Sequence, residues 1–329
     1  MTKVLITGGA GFIGSHTTRR FLDAGIEVAV LDAFHVYILP IQPWFLENMN
    51  SRFSYLLRGG RIIRGSTLNK DDLRRTVFEV KPECIVHFAA LPLANVAVRK
   101  SEEAFQGILQ GTVNILEVLR DVDFIQRFVY ISSSMVYGDF EKVPVPEDAR
   151  KNPKDIYGGM KLAGEILTKV YALRYNIPYT IIRPSAVYGP TDNNRRVVQI
   201  FLENAFAGRP IQVVRGPDTV LDFTYVKDIA EGIFLATISE LGANQIFNIT
   251  RGEGRSLSEL VNILRKHFPN LQVKEKEETD SFRPRRGALD ISKARQLLGY
   301  NPKWSLEKGV EDYIDFIRKF NPSMSKHHE

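Results

Sequence analysis

A glycine turn, Gly8-Gly9-Ala10-Gly11-Phe12-Ile13-Gly14, follows the apolar run Val4-Leu5-Ile6-Thr7 without a break and opens a helical stretch that Gly25 stops. A buried strand that runs straight into such a turn and then a helix begins a βαβ unit. In that unit Gly8 allows the tight turn, Gly11 lets the backbone approach a pyrophosphate, and Gly14 lets the helix pack on the strand. The helix N-terminus then faces the phosphates. The next strand, Glu27 to Leu31, ends at Asp32. An acidic residue there accepts hydrogen bonds from the adenosine ribose hydroxyls and repels a 2′-phosphate. Ala33, Phe34 and His35 follow, with no arginine to receive that phosphate, so NAD is expected rather than NADP.

Strand and helix patterns keep alternating. A long connection over 33–60, holding Trp44, is expected to contain a helix. Arg61 to Arg64 reads as a strand, Lys70 to Val80 as a helix, Cys84 to Phe88 as a strand, 101–120 as a long helix and Arg127 to Ser132 as a strand. A helix carrying Tyr157 and Lys161 runs to about Tyr175, and Tyr179 to Arg183 is the sixth strand. This alternation predicts an α/β fold built on a Rossmann-type, doubly wound parallel sheet. After Pro184 it loosens into helices near 196–207, 227–238, 256–268, 291–298 and 305–318 with short strands between. The expected organisation is therefore a dinucleotide domain over 1–183, rejoined by about 226–250. A smaller α/β domain over 184–329 would form a substrate-binding lid on the carboxyl ends of the strands. The tail from Ser323 to Glu329 is expected to fray.

Bulk chemistry excludes several classes. Net charge is +6 over 329 residues, and the densest basic cluster is Arg283-Pro284-Arg285-Arg286. An anionic small molecule fits this better than nucleic acid. The single cysteine, Cys84, lies in an apolar run, which excludes an intrachain disulfide and a cysteine metal cluster. No stretch has the apolar length of a membrane span. Met1 leads almost directly into a strand, leaving no room for a signal peptide, so a cytoplasmic protein is expected. No His, Cys and carboxylate set has metal-ligand spacing, and no metal is expected. His16 reads as an ordinary helix residue, His87 as packing and backbone support, and Glu165 as a partner in a helix salt bridge. Trp304 reads as an anchor for the last helix.

The chemistry is carried by Tyr157-Gly158-Gly159-Met160-Lys161, downstream of Ser132-Ser133-Ser134. Four residues apart, Tyr157 and Lys161 share a helix face. An ammonium beside a phenol favours the phenolate, which makes Tyr157 a usable general base near neutral pH. With the dinucleotide turn, this describes a site that removes a hydroxyl proton while a nicotinamide takes the hydride.

Further segments extend the pattern. They are His87-Phe88-Ala89-Ala90, Ser132-Ser133-Ser134-Met135-Val136-Tyr137-Gly138, Arg183-Pro184, Val187-Tyr188-Gly189-Pro190, Asp222-Phe223-Thr224-Tyr225-Val226-Lys227-Asp228 and Arg283-Pro284. With them the chain resembles, over nearly its whole length, the extended short-chain dehydrogenase/reductase family, in particular its nucleotide-sugar epimerases and dehydratases. The resemblance implies that Tyr157 is the base and that Lys161 also holds the nicotinamide ribose. Counting back four residues from Tyr137, it makes Ser133 the catalytic hydroxyl and Ser134 a sugar contact. It implies NAD contacts from Gly8, Gly11, Phe12, Ile13, Gly14, Asp32, Ser66, Thr67, Phe88, Ala89, Ala90, Tyr157, Lys161 and Pro184. It implies that Arg283 is the main ligand of the substrate diphosphate, with Arg215, Arg285 or Arg286 sharing the load. It also implies a homodimer, formed by pairing the helices near 101–120 and 155–175 across a two-fold axis. Phe105, Ile108, Leu109, Ile115, Leu116 and Leu119 would supply the apolar faces.

Departures from the family pattern fall in both halves of the chain. Ser66 replaces an Asp, Ile108 an Asn, Ala186 an Asn and Leu221 an Arg. Family dehydratases carry an Asp-Glu pair after the catalytic hydroxyl, and those positions here are Ser134 and Met135, which disfavours dehydration. The connection beginning Asp32-Ala33-Phe34-His35-Val36-Tyr37 looks most like that of UDP-glucuronate 4-epimerases. The leading expectation is an NAD-dependent nucleotide-sugar epimerase inverting C4 through a 4-keto intermediate. A nucleotide-sugar oxidoreductase or dehydratase is the alternative, and a non-catalytic NAD-binding scaffold is the third reading.

Overall fold

The computed structural model describes residues 1–214, 216–276 and 283–325. Its first six strands are β1 Lys3–Thr7, β2 Glu27–Asp32, β3 Arg61–Arg64, β4 Cys84–His87, β5 Arg127–Ile131 and β6 Tyr179–Arg183. Then come β7 Val187–Tyr188, β8 Ile211–Val214, β9 Val220–Leu221, β10 Thr224–Tyr225, β11 Gln245–Asn248, β12 Arg255–Ser256 and β13 Val273–Lys276. Seven of them form one parallel sheet in the order β11-β6-β5-β4-β1-β2-β3. The remaining strands make three short pairs, β7 with β10, β8 with β13 and β9 with β12.

The sheet is buried on both faces, which is why its strands read as continuous apolar runs. Successive side chains still alternate between faces. Val4, Ile6, Val28, Val30, Cys84 and Val86 pack with Phe21, Ile229 and Ile233 from the helices Phe12–Asp23 and Val226–Ile238. Leu5, Ala29, Leu31 and Ile85 pack with Leu73, Val77, Ile115 and Leu119 on the other side. Strand order reverses at β1, whose neighbours are β2 and β4. A crevice opens there at the carboxyl ends of the strands, where such sheets bind ligands.

Local signals set the helix boundaries. Asn69 accepts from the backbone of Asp71 and Asp72 to start Lys70–Val80. Asp155 accepts from Gly158 N at 2.6 Å to start Ile156–Tyr175, the helix that carries Tyr157 and Lys161. Ser256 and Glu259 form a reciprocal capping box at Leu257–His267. The long helix expected over 101–120 is present but changes pitch. It winds as a π-helix through Phe105–Gln110 before resuming as Gly111–Leu119. A further helix, Ala94–Arg99, was not legible in the sequence. The connection over 33–60 holds the expected helix, Pro43–Ser51, which widens into a π turn at Arg52–Leu56. Pro322–Ser325 is helical where fraying was expected, because Met324 is buried and Glu47 accepts from the Ser323 backbone and hydroxyl. Residues 326–329, with His327 and His328, lie outside the described residues.

Candidate active site

The glycine turn adopts the geometry its spacing demands. Gly8 sits at φ +71, a left-handed conformation that glycine reaches without strain. A Cβ on Gly14 would lie 2.3 Å from Gly8 O, so only glycine lets this helix seat against the turn. Gly8 N donates to Leu31 O at 2.8 Å, tying the turn to the end of β2. There Asp32 accepts from Ala10 N at 2.9 Å and from Phe34 N at 2.7 Å. Burial pushes its carboxyl pKa up, and the bonds from Phe34 and Ala10 pull the other way. Each oxygen keeps a lone pair for a further donor.

The cleft over these strand ends has a volume of about 2870 Å³. Single ligand pockets measure about 300–1,000 Å³, so this one has room for two extended ligands side by side. Gly8, Gly11, Phe12, Ile13, Gly14, Asp32, Ser66, Thr67, Phe88, Ala89, Ala90 and Pro184 all line it. Phe88 N and Ala89 N both donate to Thr7 O, at 2.9 and 3.0 Å, which fixes the wall beside β4. Ser66 is held by the Asp72 carboxylate, and Thr67 O accepts from Asn114.

At the far end the cleft gathers the reactive side chains. Ser133 opens a single 3-10 turn, Ser134–Tyr137, and its Oγ accepts from Met135 N at 3.2 Å. Its hydroxyl lies close enough to the phenol of Tyr157 to lower that group's pKa. Burial raises the Tyr157 pKa, while the charge of Arg196, the Ser133 bond and the charge of Arg286 lower it. Lys161 is buried behind this phenol. Its Nζ donates to Ile131 O at 2.8 Å and stands 5.9 Å from the Tyr157 ring centre. Burial pulls its pKa down to about 7, against the opposing charge of Glu165. Arg196 and Arg286 add positive charge near Tyr157.

The three serines of the cluster separate in role. Ser132 donates to Glu165 Oε1 at 2.5 Å. Glu165 is not a surface helix partner as the sequence suggested. It is buried and paired with Arg183, which in turn donates to Tyr137 Oη at 2.8 Å. Ser134 accepts from Arg286 Nη2 at 2.8 Å. His87 is buried between Thr7 Oγ1 at 2.7 Å and Thr112 Oγ1 at 3.1 Å, and burial drops its pKa to about 3, so it is a neutral tie between elements. His16 does more than occupy its helix, since its Nε2 meets Pro190 O at 3.1 Å.

Ala186, at φ +36, and Leu221, in β9, line the cleft without a side-chain donor. Ile108 fills an apolar cluster with Leu91, Leu93 and Ala104. Arg283 stands exposed on the cleft wall, and Arg285 is exposed next to it. Arg215 lies outside the described residues. Two arginines were missed. Arg52 reaches under the glycine turn, donating to Ala10 O at 3.0 Å and to Thr191 O, and burial lowers its pKa to about 10. Arg196, held by Asp192 Oδ1 at 3.0 Å, brings its charge to Tyr157. No local motif marks either residue, since both come from segments remote from the groups they affect. Among the described residues no three His, Cys, Asp or Glu groups are placed to hold a metal ion, and no helix is long and apolar enough to cross a membrane.

Comparison with known proteins agrees with this geometry. The chain is 31% identical to UDP-glucuronate 4-epimerase 1 of Arabidopsis thaliana over 95% of its own length and 76% of the relative's. It is 30% identical to a putative UDP-glucose 4-epimerase of Methanocaldococcus jannaschii, over 97% of this chain and 99% of that one. Among solved structures it superposes on UDP-glucuronic acid 4-epimerase of Bacillus cereus, in complex with UDP-glucuronic acid and NAD. The TM-score is 0.87 at 27% identity, with 97% of this chain and 99% of that chain covered. The model of the NAD dependent epimerase/dehydratase family matches residues 4–250, and the chain belongs to that family.

Proposed function

We propose that this chain is an NAD-dependent nucleotide-sugar 4-epimerase. The observation that carries the reading is the placing of Ser133 against Tyr157, with Lys161 buried behind them, at the switch point of a parallel sheet whose glycine turn admits no Cβ at Gly14. The relatives named above as UDP-sugar 4-epimerases support the choice of reaction.

The cleft fits NAD on the side of the glycine turn. Gly8, Gly11 and Gly14 leave space for a pyrophosphate at the N-terminus of Phe12–Asp23, and Asp32 offers lone pairs to ribose hydroxyls. NAD held by these residues would supply the hydride chemistry, removal of a hydride from the sugar C4 and its return to the opposite face. Tyr157 takes the proton of the 4-hydroxyl through its phenolic oxygen and gives it back after the sugar has turned. Ser133 holds the same hydroxyl by hydrogen bonding, and Lys161 orients the cofactor ribose. Ser134 and Met135 offer no acid for elimination, so the 4-keto sugar is returned and not dehydrated.

In this reading residues 1–183, rejoined by about 226–250, hold the cofactor, and 184–329 mainly bind the substrate, with Ser134 on the sugar and Arg283 on the diphosphate. The pairing of β11 with β6 supports the rejoining. A homodimer is supported by the helix Ile156–Tyr175, where Ile166, Val170 and Leu173 are 53%, 54% and 89% exposed on one face. Phe105 is exposed beside them and Leu109 is half-buried, whereas Ile108, Ile115, Leu116 and Leu119 are consumed by the core of their own chain. A cytoplasmic location is supported by a lone, buried cysteine.

The test is to incubate the purified protein with UDP-glucuronate and UDP-glucose and resolve the products by NMR. Inversion at C4 without net NADH is expected. Stoichiometric NADH, or a dehydrated product, would overturn the reading.

A further inference from the structure

Within the Arg283-Pro284-Arg285-Arg286 run, Arg286 turns into the reactive end of the cleft. Its Nη2 donates to Ser134 Oγ at 2.8 Å and to Ser185 Oγ at 2.6 Å, and both serines are buried. Its Nε is buried with no hydrogen-bond partner. No carboxylate among the described residues lies within ion-pair distance. Asp222 is the opposing charge that acts on it most strongly, but its oxygens are already held by Thr250, Gly252 and Leu289. Asp155 also acts on Arg286, and its Oδ1 caps the helix of Tyr157.

The balance of donors and acceptors is lopsided. Each serine oxygen accepts from Arg286, and neither hydroxyl has a protein acceptor among the described residues. Two O–H groups and the remaining N–H groups of a guanidinium therefore converge on one spot. A neutral ligand made of hydroxyls would leave that charge poorly balanced in a half-buried place, which is unfavourable. A carboxylate has two oxygens, only acceptors, and matches the guanidinium fork.

Position along the substrate decides which anion this is. Ser134 follows Ser133 directly, and the charge of Arg286 acts on Tyr157. The spot is therefore next to the sugar C4. The diphosphate leaves the ring at C1, on the opposite side from C4. What lies beside C4 is the hydroxyl of C3 and the C6 substituent of C5, and only C6 can be a carboxylate.

We propose that Arg286, Ser134 and Ser185 form a carboxylate subsite, so that the substrate is a nucleoside diphosphate linked to a uronic acid and not to a neutral hexose. The inference rests on the epimerase reading for its placing of C4, and the experiment separates the two. NAD-loaded wild type, Arg286→Leu and Arg286→Lys are compared on UDP-glucuronate and UDP-glucose by kcat/KM, and binding of both sugars is measured by calorimetry. Wild type favours the uronate by about a hundredfold, the scale of a bidentate charged pair. Arg286→Leu collapses that preference to within about fivefold. Arg286→Lys falls between them, because a point charge replaces the fork. A wild type that converts UDP-glucose as well as UDP-glucuronate overturns the proposal, as does an Arg286→Leu protein with an unchanged ratio. If neither sugar is epimerised, the epimerase reading fails. Calorimetry then decides the subsite alone, since tighter uronate binding that is lost in the variants sustains it and equal binding of the two sugars overturns it. If Arg286→Leu does not fold, the wild-type ratio and Arg286→Lys decide.

Discussion

Arg183 clasps Glu165 through two parallel hydrogen bonds, Nε to Oε1 at 2.9 Å and Nη2 to Oε2 at 2.7 Å, in a pair withdrawn from water. The pair joins β6 to the helix of Tyr157 and Lys161 directly beneath the reactive groups. Ser132 adds the end of β5 to the same carboxylate. Glu165 lies one helical turn after Lys161 and supports its charge against burial.

Replacing Glu165 with Gln keeps the shape and leaves Arg183 buried without a counter-charge. Breaking such a pair costs about 3–5 kcal/mol. Thermal melting is expected to fall by several degrees or more. The titration of Lys161 is also expected to move to lower pH, because Glu165 is what raises it. An unshifted melting curve would show that the pair contributes nothing.

Tyr157→Phe removes one oxygen and keeps the ring. Turnover is expected to drop about a hundred- to ten-thousand-fold, the range for a general acid–base group, with the fold and NAD binding retained. Ser133→Ala is expected to slow the chemistry more than Ser132→Ala. Ser132→Ala is expected to lower the melting temperature instead, since its hydroxyl serves Glu165. Steady-state kinetics beside calorimetric melting check both halves.

Arg283→Ala is expected to weaken nucleotide-sugar binding about tenfold or more, with NAD binding and melting nearly unchanged. Leu221 and Ala186 have no side-chain donor, so in the proposed site the diphosphate would rely on Arg283. Isothermal titration with UDP-glucuronate reads the change. An unaltered affinity would remove Arg283 from the site.

Ile166→Arg with Leu173→Arg places two charges on the exposed face of Ile156–Tyr175. Light scattering at micromolar concentration is expected to show a dimer for the wild type and a monomer for the variant. A wild-type monomer would end the dimer proposal.

Acid is expected to destabilise the fold through two histidines. Burial lowers the His16 pKa from 6.5 to about 4 and that of His87 from 6.5 to about 3. The unfolded chain therefore takes up protons near pH 6.5 that the folded chain refuses, so stability falls as pH drops from about 6.5 toward 4. Asp222 opposes this, because burial raises its folded pKa to about 6 and the folded chain binds that proton first. Melting temperatures between pH 7 and 5 are expected to decline, and His16→Gln is expected to flatten the decline. An identical slope in the variant would refute the account for His16.

Much of this molecule is legible in the order of its residues. Glycine spacing dictates a turn that only glycine can close, as the close approach of Gly14 to Gly8 O shows. Period-two and helical patterns fix the alternation of strand and helix, because each element must bury its own apolar face. Tyr157 and Lys161 share a helix face by spacing alone, and Asp32 ends its strand beside the turn. These are short-range relations, and local sterics and hydrogen bonding determine them. The tertiary structure decided the electrostatics. Arg286 meets Ser134 across 152 positions, Arg52 reaches Thr191 across 139, and Glu165 meets Arg183 instead of a helix neighbour. Whether a charge is paired, buried or aimed at a substrate depends on which remote segments pack together. A long side chain carries no local signature of where its end will lie, so only the folded chain set Arg286 against Ser134 and Ser132 against Glu165.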